Sequence, residues 1–205
     1  MIRKFGGSSG VEFQPQGVDI GVGGGSLIKS IQRGNSAMSY TSTSMEISIS
    51  SIDKSKSIIR ISQGGASGSS GGALSTTLLK ATFKNGESKI VIERASTMSA
   101  TQFTVQFSWE VIEFAPSCTI QSGVATMSQN ATTASVSISN IDMSKSLLFF
   151  SHNTPVGTNG AYAYFDPWYA LLYGLLLSST SIYFGRDGAD GICSANISWF
   201  VVELK

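Results

Sequence analysis

Charge is scarce in this chain. Only 13% of its 205 residues are Asp, Glu, Lys or Arg, against about a quarter in ordinary soluble domains. Surface that Lys and Glu usually coat must here be Ser, Thr, Asn and Gly. Such a surface is common on β-proteins packed against other subunits, and on secreted proteins. The net charge of +1 supplies no long-range pull toward nucleic acid or an anionic membrane. Histidine occurs once, at His152, so any Ser-His-Asp triad or imidazole metal site would have to use it. It follows Phe150-Ser151 at the end of an expected strand, has no partner at ligand spacing, and reads as a solvated loop residue. The two cysteines, Cys118 and Cys193, are too few for a disulfide framework. If the first and last strands of the second half are neighbours, the two could approach each other. Free, buried thiols of a protein made in a reducing cytosol are the expected state. The longest apolar stretch, Trp168 to Leu177, spans about ten residues, about half of what a membrane helix needs. Behind Arg3 and Lys4 no apolar run follows, so neither a secretory leader nor a membrane association is expected. No segment has the period of an amphipathic helix.

What the chain does have is a repeat. Ile52-Asp53-Lys54-Ser55-Lys56-Ser57 recurs as Ile141-Asp142-Met143-Ser144-Lys145-Ser146, at an offset of 89. The same offset aligns Ile31-Gln32-Arg33-Gly34 with Ile120-Gln121-Ser122-Gly123, and Met38 with Met127. At an offset of 90, Ser108-Trp109-Glu110-Val111-Ile112-Glu113-Phe114 aligns with Ser198-Trp199-Phe200-Val201-Val202-Glu203-Leu204. Ordered matches at nearly constant spacing predict a tandem duplication: an arm at 1–25, one unit at 26–114 and a second at 115–205. The first unit carries nine Lys/Arg and six Asp/Glu, the second three and five.

Period-two alternation runs through both units. Met45, Ile47 and Ile49 alternate with Glu46, Ser48 and Ser50, as Val136 and Ile138 do with Ser137 and Ser139. The Ile-Asp-x-Ser-Lys-Ser segment reads as a turn in which Asp53 or Ser55 bonds nearby backbone N–H groups. Ile58 to Ile61 and Leu147 to Phe150 follow as strands, the latter apolar on both faces and therefore expected to be central in its sheet. Gln63 to Gly72 reads as a Gly/Ser loop. Asn85-Gly86 marks a hairpin between Leu78–Phe83 and Lys89–Arg94, with Trp168–Leu177 and Ser181–Arg186 as its second copy. Phe103, Val105, Phe107, Trp109 and Val111 share one face of a long closing strand, as Ala195, Ile197, Trp199 and Val201 do. The expected fold is all-β: two tandem sandwich-like domains of about six strands each, with an extended arm before them, a strand count that a jelly-roll variant of the sandwich fits equally.

Candidate chemistry is thin. Gly6-Gly7-Ser8-Ser9-Gly10 and Gly68-Ser69-Ser70-Gly71-Gly72 fit Gly-x-Ser-x-Gly, but neither lies between a strand and a helix as a nucleophile elbow must. A hydrolase using Ser70 and His152 is the enzymatic reading to weigh. Asp187 and Asp190 sit in an acidic turn that lacks the ligand count of a calcium loop. Glu113 and Glu203 recur at matched places, where an edge or domain-joint role, with Arg33 or Lys29 as partner, is expected. Trp109 and Trp199 alternate in phase with aliphatic neighbours and read as core anchors. Gly21-Val22-Gly23-Gly24-Gly25-Ser26 departs from the dinucleotide fingerprint, and Asn130-Ala131-Thr132 and Asn196-Ile197-Ser198 are formal sequons only. No catalytic, cofactor-binding or metal residue is assigned. Two binding readings remain. Val11, Phe13, Val18, Ile20 and Val22 in the Gly-flanked arm read either as a tail or as a docking arm for another subunit. Tyr162, Tyr164, Phe165, Trp168 and Tyr169 crowd a stretch where the first unit has no aromatic; exposed together, they would stack on sugar rings.

Ile28-Lys29-Ser30-Ile31-Gln32-Arg33-Gly34, Asp53-x-Ser55-Lys56-Ser57 and Ser108-Trp109-Glu110-Val111-Ile112-Glu113 resemble small β-rich virion proteins of tailed bacteriophages. The resemblance covers both units and leaves out the arm. It implies a non-enzymatic structural protein made in the bacterial cytoplasm and carried on the virion. A capsid decoration protein anchored through its arm is the first expectation, and a tail or neck appendage with a glycan- or receptor-binding role the alternative. Implied partners are other virion subunits (capsid, neck or tail proteins) and further copies of the chain, with a host surface glycan under the alternative. The second unit departs from the pattern at Thr119-Ile120-Gln121-Ser122-Gly123, where Arg33 has no counterpart.

Overall fold

The computed structural model describes residues 26–39, 41–67, 77–95, 104–154, 171–187 and 194–205. Among them twelve strands are formed: β1 Ile28–Met38, β2 Ser44–Ser48, β3 Ser57–Ser67, β4 Leu79–Phe83, β5 Lys89–Arg94, β6 Thr104–Phe114, β7 Thr119–Met127, β8 Thr133–Ser137, β9 Ser146–Asn153, β10 Tyr173–Ser178, β11 Ser181–Gly185 and β12 Ala195–Glu203. Two 3-10 turns, Lys54–Lys56 and Met143–Lys145, lead into β3 and β9. The protein is all-β, as composition and periodicity predict. The strands form four three-stranded sheets with every pairing antiparallel: β1-β6-β3, β2-β5-β4, β7-β12-β9 and β10-β11-β8. The order of the first two sheets recurs in the last two.

Alternation decides which faces meet. In the first half Val105, Phe107 and Val111 of β6 face Ile90 and Ile92 of β5 and Leu79 and Ala81 of β4, all buried. In the second half Ile197, Trp199 and Val201 of β12 meet Ile182 and Phe184 of β11. The Asn85-Gly86 hairpin is present, and Gly86 alone among the described residues has positive φ, at 72°, a value that glycine adopts without a Cβ penalty. Each closing strand lays an indole across a glycine of its neighbour. Gly34 pairs with Trp109 and Gly123 with Trp199. A Cβ built on either glycine would sit 2.8 Å or 2.7 Å from the indole Cζ2, so only glycine leaves room.

The two halves share a core. Ile120, Phe149, Phe200, Val202 and Leu204 pack with the first-half cluster, and Phe83 meets Phe200 edge-on with ring centroids 6.0 Å apart. The second face of the β7-β12-β9 sheet thus covers the β3–β4 flank of the first half, where Ala81 N–H donates to Ser151 Oγ at 3.0 Å and Asn153 Nδ2 to the Glu93 carbonyl at 3.2 Å. Lys56 adds a clasp, donating to the carbonyls of Pro116 (3.0 Å) and Cys118 (2.6 Å) in the connection between halves.

Several features depart from expectation. Leu147–Phe150 lies in β9, an edge strand of its sheet and not a central one; Phe149 packs with the first-half core and Leu148 and Phe150 with the second, while Leu147 is exposed. β3 continues through Ser67 instead of ending in a loop at Gln63, with a register shift against β6 between Gln63 and Ala66. His152 is no solvated loop residue: it is buried in β9 and stacks on Phe150 at 6.2 Å. Cys118 is a free, buried thiol. β7 and β12 are neighbours but antiparallel, so Thr119 pairs with Glu203 and Met127 with Ala195. Cys118 therefore precedes the end of this strand pair at which β12 finishes, and Cys193 lies outside the described residues.

Candidate functional site

The repeated motifs turn out to be one interacting unit. Asp53 Oδ1 accepts from the Ser55 N–H (2.9 Å) and hydroxyl (2.6 Å), while Ser57 Oγ donates to the Asp53 carbonyl at 2.6 Å. Asp142, Ser144 and Ser146 repeat these bonds at 3.0, 2.6 and 2.7 Å. The closing glutamate completes the unit: the Asp53 N–H donates to Glu113 Oε1 at 3.2 Å, and the Asp142 N–H to Glu203 Oε1 at 3.0 Å. Glu113 is buried and also accepts from Lys29 Nζ (2.8 Å) and Ser30 Oγ (3.0 Å). Burial pushes its carboxyl up, but the bonds from Lys29, the Asp53 N–H and Ser30 outweigh this and hold it below the ordinary value. Of the two expected partners Lys29 is the one used, and Glu113 ends a central strand rather than lying at a sheet edge. Asp53 and Asp142 are likewise held low, first by the serine hydroxyl each accepts from.

Two further devices recur that the motif reading does not reach. Gln32 brackets Ser50 through both amide atoms (2.6 and 3.2 Å), and Gln121 brackets Ser139 in the same way (2.7 and 2.9 Å). Arg94 and Arg186 are buried and donate to loop carbonyls, Arg94 to Ser39 at 2.9 Å and Arg186 to Ser128, Gln129 and Ala131 at 2.9–3.1 Å. The recurrence of Gln32 at the repeat offset is the signal that could have singled it out.

Two outward sheet surfaces stand out. On the first, Arg33 and Arg60 flank Glu110 at 3.5 and 3.0 Å, with Asn35, Ser62 and Ser108 on the next rung, around a shallow polar depression of about 280 Å³. Its counterpart in the second half is Ser122, Phe149 and Phe200, of which the two phenylalanines dock on the first half. The second is the outer face of β10-β11-β8. Tyr173, Leu175 and Leu177 project from β10 beside Tyr183 of β11, and Leu171 precedes them. The Tyr173 ring lies on Gly185, where a Cβ would meet its Cζ at 2.5 Å, and its centroid is 6.0 Å from that of Tyr183. The Tyr183 hydroxyl pushes the Tyr173 phenol above its ordinary value.

The arm residues Val11, Phe13, Val18, Ile20 and Val22, the aromatics Tyr162, Tyr164, Phe165, Trp168 and Tyr169, and Ser70, Asp190 and Cys193 all lie outside the described residues. Trp199 is a buried core residue as expected, and Trp109 packs against the first-half core. No group of three or more His, Cys, Asp or Glu side chains placed to hold a metal occurs among the described residues. No described helix is long and apolar enough to cross a membrane. No protein-family model matches the chain, and no curated protein or solved structure matches it either.

Proposed function

We propose that this chain is a non-enzymatic structural subunit of a tailed bacteriophage virion, a duplicated β-sandwich unit displayed on the capsid as a decoration protein. One observation carries the reading: the polar residues that recur between the halves are spent on the chain's own backbone. Asp53, Ser55, Ser57 and Glu113, like Asp142, Ser144, Ser146 and Glu203, fix turns and strand ends. The expense is that of a rigid display scaffold, and it agrees with the resemblance of these motifs to phage virion proteins. Val11, Phe13, Val18, Ile20 and Val22 form the anchoring arm, which takes a groove on a capsid, neck or tail subunit, with apolar side chains entering pockets and backbone pairing at a sheet edge. The reading calls for no cofactor, metal, nucleic acid or membrane. Mass spectrometry of gradient-purified particles tests it: the protein should be present at many copies per particle, and its absence would end the proposal.

A second reading, a tail or neck appendage that binds host-surface glycan, is favoured by the exposed Tyr173 lying on Gly185 beside Tyr183. The aromatic run Tyr162, Tyr164, Trp168 and Tyr169 leads into that place in the sequence. Replacing Trp168 and Tyr169 with Ala separates the two: glycan binding lost from a folded protein supports the appendage, and no binding by the parent chain removes it.

A further inference from the structure

The molecule contains its own control for what solvent asks of an outer sheet face. In the first half, the outer face of β2-β5-β4 carries Glu46, Lys80, Lys89 and Glu93 around Thr82 and Val91, and Lys84 and Glu87 at the hairpin complete a network of ion pairs at 2.6–3.0 Å. By register the corresponding positions of β10-β11-β8 hold Tyr173, Leu175, Ser181, Tyr183 and Gly185, with Thr133, Ser135 and Ser137 on β8. Every charged position has been replaced by an uncharged one. Leu171, Tyr173, Leu175 and Leu177 are 46, 49, 41 and 58% exposed, a contiguous apolar stripe of the kind that marks an interaction surface.

We infer that the outer face of β10-β11-β8 is a two-fold interface between two copies of this chain. Charge selects the occupant. A face whose strands carry no formal charge, with Asp187 near Tyr173 at its rim, cannot compensate charges brought against it, and taking even a paired charge out of water costs several kcal/mol. On a second copy the outer face of β2-β5-β4 offers Glu46, Lys80, Lys84 and Lys89, and that of β1-β6-β3 offers Arg33, Arg60 and Glu110. The β7-β12-β9 sheet is largely occupied by the first half of its own chain, leaving Ser122, Thr126 and two separated apolar side chains, Val124 and Leu147, outward. Among the described outward sheet faces, the one that carries a contiguous run of exposed apolar side chains with no charge on its strands is the same face, which gives an isologous contact closed by a two-fold axis. Head-to-tail continuation of the intramolecular docking is blocked as well, because where the second half presents Phe149 and Phe200 the first half presents Arg60 and Glu110. The inference deepens the structural-subunit reading by naming the surface through which copies meet, and it rests on that reading only for the premise that copies assemble.

Sedimentation velocity of the full chain at micromolar concentrations tests it. The parent chain should sediment as a dimer. Leu175→Lys with Leu177→Lys, which restores the charged character of the first-half face, should yield a monomer with an unchanged far-UV spectrum. Val124→Lys, exposed elsewhere, should leave the dimer intact. Should the double-lysine chain lose its fold, Leu177→Ser alone should weaken the dimer at least tenfold. A monomeric or trimeric parent chain, or a dimer that survives the lysines, would overturn the interface. A monomeric parent that binds glycan through Tyr173 would assign the face to sugar instead. None of these results bears on whether the protein is found in particles, so failure here and failure of the virion reading are distinguishable.

Discussion

At the scale of the residue, two glycines and one glutamate make the sharpest claims. Gly34→Ala and Gly123→Ala each force a methyl against an indole held by the core on its other side. Overpacking of this kind costs about 1–3 kcal/mol, so both variants should unfold at lower urea; a midpoint shared with the parent would show that the indoles can move away. Glu87 gives a pH signature. Hydrogen bonds from Lys84 and Lys89 hold its carboxyl down from 4.5 to about 2. Since the folded value lies below the unfolded one, its contribution is complete above about 4.5 and is lost as pH falls toward 2. The urea midpoint should therefore fall between pH 5 and pH 2.5, and fall less in Glu87→Gln. Because the cluster is solvent-exposed, salt should blunt the difference. Residue identities were legible where their partners were near in sequence: Asp53 as a capping side chain follows from Ser55 two positions on. Arg94 and His152 were not, since what buries them comes from segments tens of residues away.

At the scale of the element, the turn and the closing strand act together. Asp53→Ala and Asp142→Ala each remove an acceptor for the N–H and hydroxyl of the serine two residues on. By analogy with N-cap losses, each should cost about 1 kcal/mol. Glu113→Ala should cost more than Glu203→Ala, because the buried Glu113 also satisfies Lys29 and Ser30. Thermal melts of the four variants check the ranking, and equal costs for the two glutamates would contradict it. Strand existence was readable from period-two text, and the Asn85-Gly86 turn from its dipeptide. Sheet position was not. The text of Leu147–Phe150 says that both faces are apolar, yet a strand between two sheet neighbours and an edge strand between two cores read identically. Only the docking of one half on the other separates them.

At the scale of the whole molecule, the substitution of Phe149 and Phe200 for Arg60 and Glu110 turns one half's solvent face into the other half's foundation. Phe200→Ala should destabilise the chain by about 3–5 kcal/mol, and Arg60→Ala, on the exposed counterpart, by less than about 1; similar losses would mean that the inter-half contact contributes little. The repeat offset was visible in sequence, and the matching sheet orders recur with it. That the two halves share a core was not visible, because the hydrophobic positions joining them alternate in the same phase as those of an ordinary buried strand. The functional account rests on a molecule whose repeated polar residues bond its own backbone and whose β10-β11-β8 strands, among the described residues, present an uncharged apolar outer face. Immunogold labelling of purified phage particles, with antibody raised against residues 26–205, tests that account most directly. Gold spread over the heads is the expected result. Gold confined to the neck or tail tip would move the protein to the appendage reading, and unlabelled particles would contradict the virion role altogether.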